Sequence, residues 1–134
     1  MRLSAIVAAP ILLFAAGCVS SSEPDGVCTL IGCSSGLRID LSSALPEGSR
    51  LEVFEVATPT QVRTIPCTAS QRCEQFVFLV DYQPTGPIQV RIVTPGRTVT
   101  GSAVTPVFQT VTPNGPDCPP SCRQARVNAP VAPA

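Results

Sequence analysis

Seven cysteines carry most of the chemistry open to this 134-residue chain, and six of them fall into three close couples: Cys28 with Cys33, Cys67 with Cys73, and Cys118 with Cys122. Cys18 stands apart. Such couples have three uses. The first is a redox dithiol, which wants a C-x-x-C pair at a helix start to lower a thiolate pKa. Cys118 and Cys122 are one residue too far apart for it, and no βαβ pattern surrounds them. The second is zinc, but runs of four, five and three residues between members do not match the short knuckles that gather thiolates around the ion. The third is the structural disulfide, worth about 2–4 kcal/mol each in a small exported domain. This use fits best, and neither a metal site nor a cofactor is assigned.

Absent side chains narrow the chemistry further. The chain has no His and no Lys, which excludes Ser-His-Asp and Cys-His nucleophile systems, Ser-Lys dyads and Schiff bases. Carboxylates remain, with Glu47, Glu52, Glu55, Glu74 and Asp81 as material for the acid–base pair of a glycosidase. Glu52 and Glu55 sit three apart in a strand pattern and so face opposite sides. Charges on the polar face of a strand are ordinarily solvated, and no catalytic residue is assigned.

The compartment is written in the first eighteen residues. Arg2 is followed by an apolar stretch from Leu3 to Ala16, which closes on Phe14-Ala15-Ala16-Gly17-Cys18. A basic start, a short apolar run and small residues before a cut site form an export signal, and the run falls short of the roughly 20 residues that span a bilayer. Ala15-Ala16-Gly17-Cys18 resembles the lipobox of bacterial lipoproteins. The resemblance covers Met1 to Cys18. It implies cleavage before Cys18, diacylation of its thiol and often acylation of the new amino terminus. Two or three acyl chains satisfy the rule that stable anchoring takes more than one. Val19 follows, and in the enterobacterial version of this family a non-acidic residue there goes with export to the outer membrane. Cleavage without lipidation, leaving Cys18 as a spare thiol on a secreted protein, is the other reading of the segment.

With Cys18 set aside, six cysteines make three disulfides, for which fifteen pairings exist. Cys67 with Cys73 is favoured, because Thr68-Ala69-Ser70-Gln71 between them suits the turn of a hairpin. That leaves the couple at the start, Cys28 and Cys33, to cross-link with the couple at the end, Cys118 and Cys122, and so tie the chain ends together. Pairing within each couple is the alternative.

Formal charge is zero, with nine basic and nine acidic side chains, and every basic residue is Arg. Removing Met1 to Gly17 takes away Arg2 and no acid, so eight basic residues face nine acidic ones. Nucleic acid, whose phosphates call for clustered Lys and Arg, is not an expected partner.

The elements that must position these residues read as short strands. Val19 to Gly26 is Ser-rich and polar, a tether between lipid and domain. Gly36 to Leu41 alternates with a period of two, Pro46-Glu47-Gly48 turns, and Arg50 to Val56 alternates again. Gln61 to Ile65 makes a third strand. Phe76-Val77-Phe78-Leu79-Val80 is an almost continuous apolar run, expected to be the best buried strand. Ile88 to Thr94 points Ile88, Val90 and Ile92 inward, and Pro95-Gly96 suits a type II turn. Arg97 to Val104, Pro106 to Thr112 and a closing strand from Arg123 to Asn128 complete the set. Fifteen prolines argue against a helical bundle.

The expected fold is therefore all-β: a small, disulfide-stapled antiparallel β-sandwich, immunoglobulin-like or transthyretin-like, after an N-terminal signal peptide. Its expected divisions are a signal peptide at 1–17, a lipidated Cys18 and tether at 18–27, a sandwich at 28–128 and a disordered tail at 129–134. The part after the signal resembles the short cysteine-stapled lipoproteins of Gram-negative bacteria with G+C-rich genomes, which end in a segment similar to Pro113-Asn114-Gly115-Pro116-Asp117-Cys118-Pro119-Pro120-Ser121-Cys122. The expected function is that of a non-catalytic lipoprotein, held at the outer membrane by lipid on Cys18, whose sandwich contacts an envelope protein or serves surface or wall assembly. The alternative is a ligand- or carbohydrate-binding module using Tyr82 with exposed Arg or Asp. It is the weaker one, since sugar sites lean on Trp and Tyr stacking and the chain has one Tyr and no Trp.

Overall fold

Period-two alternation places one apolar row on each strand, and such rows are stable only when buried against another sheet. The computed structural model describes residues 28–132, in which eight strands and no helix form. They are β1 (Gly36–Asp40), β2 (Arg50–Glu55), β3 (Val62–Pro66), β4 (Phe76–Val80), β5 (Ile88–Thr94), β6 (Arg97–Thr100), β7 (Gln109–Val111) and β8 (Cys122–Asn128). The signal peptide, Cys18, the tether and the last two residues of the expected tail lie outside the described residues.

Two four-stranded sheets result, the first in the order β4-β1-β8-β7 and the second β3-β2-β5-β6. Leu37 and Ile39 of β1 are wholly buried, with Leu79 and Val77 beside them on β4 and Ala125 and Val127 on β8. Leu51, Val53, Ile65, Ile88, Val90 and Ile92 of the second sheet join them in one core. Each fully buried Leu, Ile or Val is worth roughly 1.5–3 kcal/mol relative to exposure. The inward face expected for β5 is observed, and Gly96 takes φ +89° in the turn between β5 and β6. Glycine reaches that value at no steric cost.

Several expectations need correction. The sandwich is not antiparallel throughout, because β1 and β8 run parallel. A parallel pair needs a long connection, and here the rest of the domain supplies it. Both strands start from one place, since Cys33 just before β1 is bonded to Cys122, the first residue of β8. The small disulfide-stapled sandwich of two sheets is as expected; its β1 and β2 lie in different sheets, unlike the first two strands of a constant-type immunoglobulin domain. The apolar run of β4 is an edge strand, not the best buried one: Val77 is inside, but Phe76 and Val80 are 43% and 57% exposed. β2 is the strand buried on both faces. The Cys67–Cys73 loop turns no hairpin, because β3 and β4 belong to different sheets and the loop crosses between them. β6 and β7 are shorter than their apolar patterns. Residues 129–132 are not a loose tail: the Ala129 N–H donates to Asp40 O at 2.9 Å, and Ala129 and Ala132 pack on the core.

One close approach fixes the β1–β4 pairing. A Cβ on Gly36 would lie 2.1 Å from the Leu79 carbonyl oxygen and 3.1 Å from the Phe78 ring. Its φ of +153° is one that other residues rarely adopt. Gly36→Ala should therefore lower unfolding stability by about 1–3 kcal/mol. Gly86, which has open space around it, serves as the control position. Urea unfolding of the two alanine variants checks this, and equal midpoints would refute it.

Candidate functional site

Cysteine couples far apart in sequence can meet only if the fold brings the chain ends together. It does so here: Cys28 is bonded to Cys118 and Cys33 to Cys122, across separations of 90 and 89 residues. Cys67 is bonded to Cys73. Cross-linking of the first couple to the last is thus observed and pairing within those two couples is not. All six sulfurs are bonded to one another, which leaves no thiolate among them for a metal or for redox exchange.

Between the two long bridges lies Asn114. Its Oδ1 accepts from the Thr29 hydroxyl at 2.6 Å and from the Ile31 N–H at 3.2 Å. Its Nδ2 donates to Ile31 O at 2.9 Å and to Pro119 O at 2.8 Å. The amide thus uses both its donors and both its acceptor positions. A few residues on, the Arg123 N–H donates to Ser35 Oγ and Gln124 Nε2 to Ser34 O. Residues 28–35 are zipped onto residues 111–124 by two covalent and five polar links, a clasp at the point where the segment after Cys18 enters the domain. The signal for Asn114 in the sequence is its place in the Pro113-Asn114-Gly115-Pro116 turn beside Cys118, which does not by itself show what the side chain holds.

Each outer face is built on one carboxylate held between two guanidinium groups. On the first sheet Arg38 and Asp40 are two apart on β1, and Arg126 is the neighbour across on β8. Arg38 Nε donates to Asp40 Oδ1 at 2.6 Å and Arg126 Nε to Oδ2 at 3.0 Å. On the second sheet Arg50 Nε donates to Glu52 Oε1 at 2.7 Å, and Arg91 Nη1 of β5 to Oε2 at 3.1 Å. An aromatic ring lies under one Arg of each set: Phe76 is 3.9 Å from Arg38 and Phe54 is 4.9 Å from Arg91. Such stacking is electrostatically favourable. The sequence signal was the pair of tripeptides Arg38-Ile39-Asp40 and Arg50-Leu51-Glu52, in which positions two apart share a face.

These contacts shift the carboxyl groups. Burial alone pushes Asp40 up, but hydrogen bonds and charge from Arg38 and Arg126 outweigh it and hold the group below 3.8. For Glu52 the hydrogen bond from Arg50 is the largest effect and, with Arg91, overcomes burial to hold it below 4.5. The expectation that these strand carboxylates are simply solvated is thus corrected for Glu52, which is buried.

Other sequence candidates separate in space. Glu47 and Glu74 share an open depression of ≈ 250 Å³ beside Cys67–Cys73, where Arg72 lies 3.6 Å from Glu74. Glu55 and Asp81 do not line it. Tyr82, the residue expected to stack on a sugar, is buried with Arg63 4.5 Å from its ring. Burial is the main cause that raises its phenol above 10.0, helped by the charge of Glu55 and opposed by Arg63. Cys18 lies outside the described residues, among which no cluster of His, Cys, Asp or Glu is placed to hold a metal. No described helix is long and apolar enough to cross a membrane.

What remains is an apolar surface on the first sheet. Phe76, Phe78 and Val80 all point outward along β4, since Val77 and Leu79 point into the core. With Cys33, Arg38 and Gln124 the two rings border an open hollow of ≈ 500 Å³ next to the clasp. No protein-family model matches the chain, and no curated protein or solved structure matches it either.

The carboxylates make stability depend on acid. Both are held below their ordinary values, so the unfolded chain takes up protons first as pH falls, and stability present above pH 4.5 is lost below it. Glu52→Gln should cost about 1–2 kcal/mol at pH 7, the Arg partners being partly in water, and the gap to wild type should shrink at pH 3. Urea titrations at the two pH values measure this; an unchanged gap would show that the Glu52 charge contributes nothing.

The clasp bridges close nearly the same loop. Closing a loop of that size is worth about 4–5 kcal/mol on chain-entropy grounds, and the second bridge then closes only short remnants. Replacing Cys28 and Cys118 by Ser should therefore cost about two-fifths of what removing both bridges costs. Denaturation of the two variants decides it, and equal increments would overturn the shared-loop account.

Proposed function

We propose that this chain is a non-catalytic envelope lipoprotein, anchored at the outer membrane through acylated Cys18, that offers its β-sandwich for protein contact. The observation that carries the contact reading is β4, an edge strand whose outward residues Phe76, Phe78 and Val80 form an apolar row that no other strand covers, with only the Arg38 guanidinium resting on Phe76. Natural sheets guard their edges because open main-chain groups beside apolar side chains recruit another strand. An edge left in this state serves contact.

The clasp supports the anchored reading. Ten peptide steps from Cys18 to Cys28 reach at most about 36 Å, which keeps the sandwich near the lipid surface. A pull on that segment meets Cys28 and its bond to Cys118 before it meets a strand. The carbohydrate reading has no such support, since the Tyr82 ring is buried.

The test is the intact mass of protein purified from the membrane fraction. The expected result is a chain starting at Cys18, carrying two or three acyl groups, and short of six hydrogens for its three disulfides. A cytosolic protein with its leader uncut and its thiols free would end the proposal.

A further inference from the structure

The hydrogen-bond phase of β4 shows which main-chain groups are open. The Asp81 N–H donates to Ser35 O and the Leu41 N–H to Gln75 O, which makes Ser35–Asp81 and Leu41–Gln75 bonded pairs. In an antiparallel ladder bonded and non-bonded pairs alternate. With Leu37 opposite Leu79 and Ile39 opposite Val77, those pairs are bonded too. Phe76, Phe78 and Val80 therefore turn their N–H and C=O away from β1, toward the open edge. Their side chains occupy the outer face, so one set of three residues offers both the main-chain groups and the apolar row.

The other edges are guarded. β3 carries Arg63 and Pro66, β6 carries Arg97, and β7 is a three-residue strand, Gln-Thr-Val. β4 holds neither a charge nor a proline, and among the described edge strands it shares this only with the three-residue β7.

We infer that β4 pairs with the β4 of a second copy of this chain, antiparallel about a two-fold axis through Phe78, and that this copy is the partner in the contact reading above, on which the inference rests. The sequence Phe76-Val77-Phe78-Leu79-Val80 is suited to such symmetry. Phe78 meets its own copy, Phe76 meets Val80 of the other chain, and Val77 meets Leu79. The three open positions then bond one another and no other register uses all of them. Outer rows meet as aromatic and β-branched neighbours, the cross-strand pairs that most stabilise a sheet. Charges also fit. Gln75 comes opposite Asp81 and Glu74 opposite Tyr82, so no like charges face, and the end bearing exposed Arg72 meets the end bearing Asp81. At Asp81 a φ of +58° turns the chain off the edge, so the pairing ends there. Two four-stranded sheets become one of eight.

Sedimentation equilibrium of the mature chain, alone in detergent, gives the oligomeric state, and hydrogen exchange read by NMR gives the protection of each β4 amide. A dimer with protected Phe76, Phe78 and Val80 amides is expected, because β1 does not bond these groups. Val80→Lys, which adds a charge at an exposed position, should weaken self-association roughly tenfold or more. Thr98→Lys on the β6 edge should leave it unchanged. Far-ultraviolet circular dichroism and a count of free thiols confirm that both variants fold. A monomer with open β4 amides, a dimer indifferent to Val80→Lys, or a β4 edge protected only on adding a different envelope protein would each overturn the inference. Acylation of Cys18 is measured separately by mass, so failure of the anchor and failure of the dimer are told apart.

Discussion

The bonding of the first cysteine couple to the last is the constraint on which this structure depends. It brings residues 28–35 and 111–124 together, starts β1 and β8 from the same point and so makes them parallel neighbours at the centre of the first sheet. A domain of about a hundred residues buries a smaller share of its surface than a large one, and covalent closure offsets that deficit by restricting the unfolded chain. Asn114 sits where the bridges leave main-chain groups without partners, and it satisfies them.

From the central β1–β8 pair the rest of the sandwich follows in layers. Leu37, Ile39, Ala125 and Val127 make the floor of the core, and the second sheet lays Leu51, Val53, Val90 and Ile92 on it. Outside, Asp40 and Glu52 each hold two strands in register through paired arginines. Ion pairs in water are worth little singly; these use both oxygens of one carboxylate and stack an arginine on a ring. The same chemistry thus finishes both faces, and the β4 edge is where it stops short.

Much of this was legible beforehand. Strand positions, the all-β class and the inward row of β5 follow from alternation, which is a local property. The R-x-D and R-x-E tripeptides were visible too, but their third member was not: Arg126 and Arg91 are supplied by strands distant in sequence. The apolar run of β4 misleads for the same reason. Local pattern shows that both faces of a strand are apolar, and it is silent on whether a second layer covers each of them.

The sequence by itself determined that this chain forms strands with Pro and Gly turns, that it lacks the His and Lys on which the commonest nucleophile systems depend, and that its cysteines come in couples. Tertiary structure alone decided which couples join, which strand is central and which is edge, and where Tyr82 and the carboxylates lie. The reason is that hydrophobic period and turn chemistry act over a few residues. Strand order and pairing direction are settled instead by contacts between segments up to ninety residues apart, here the two long disulfides.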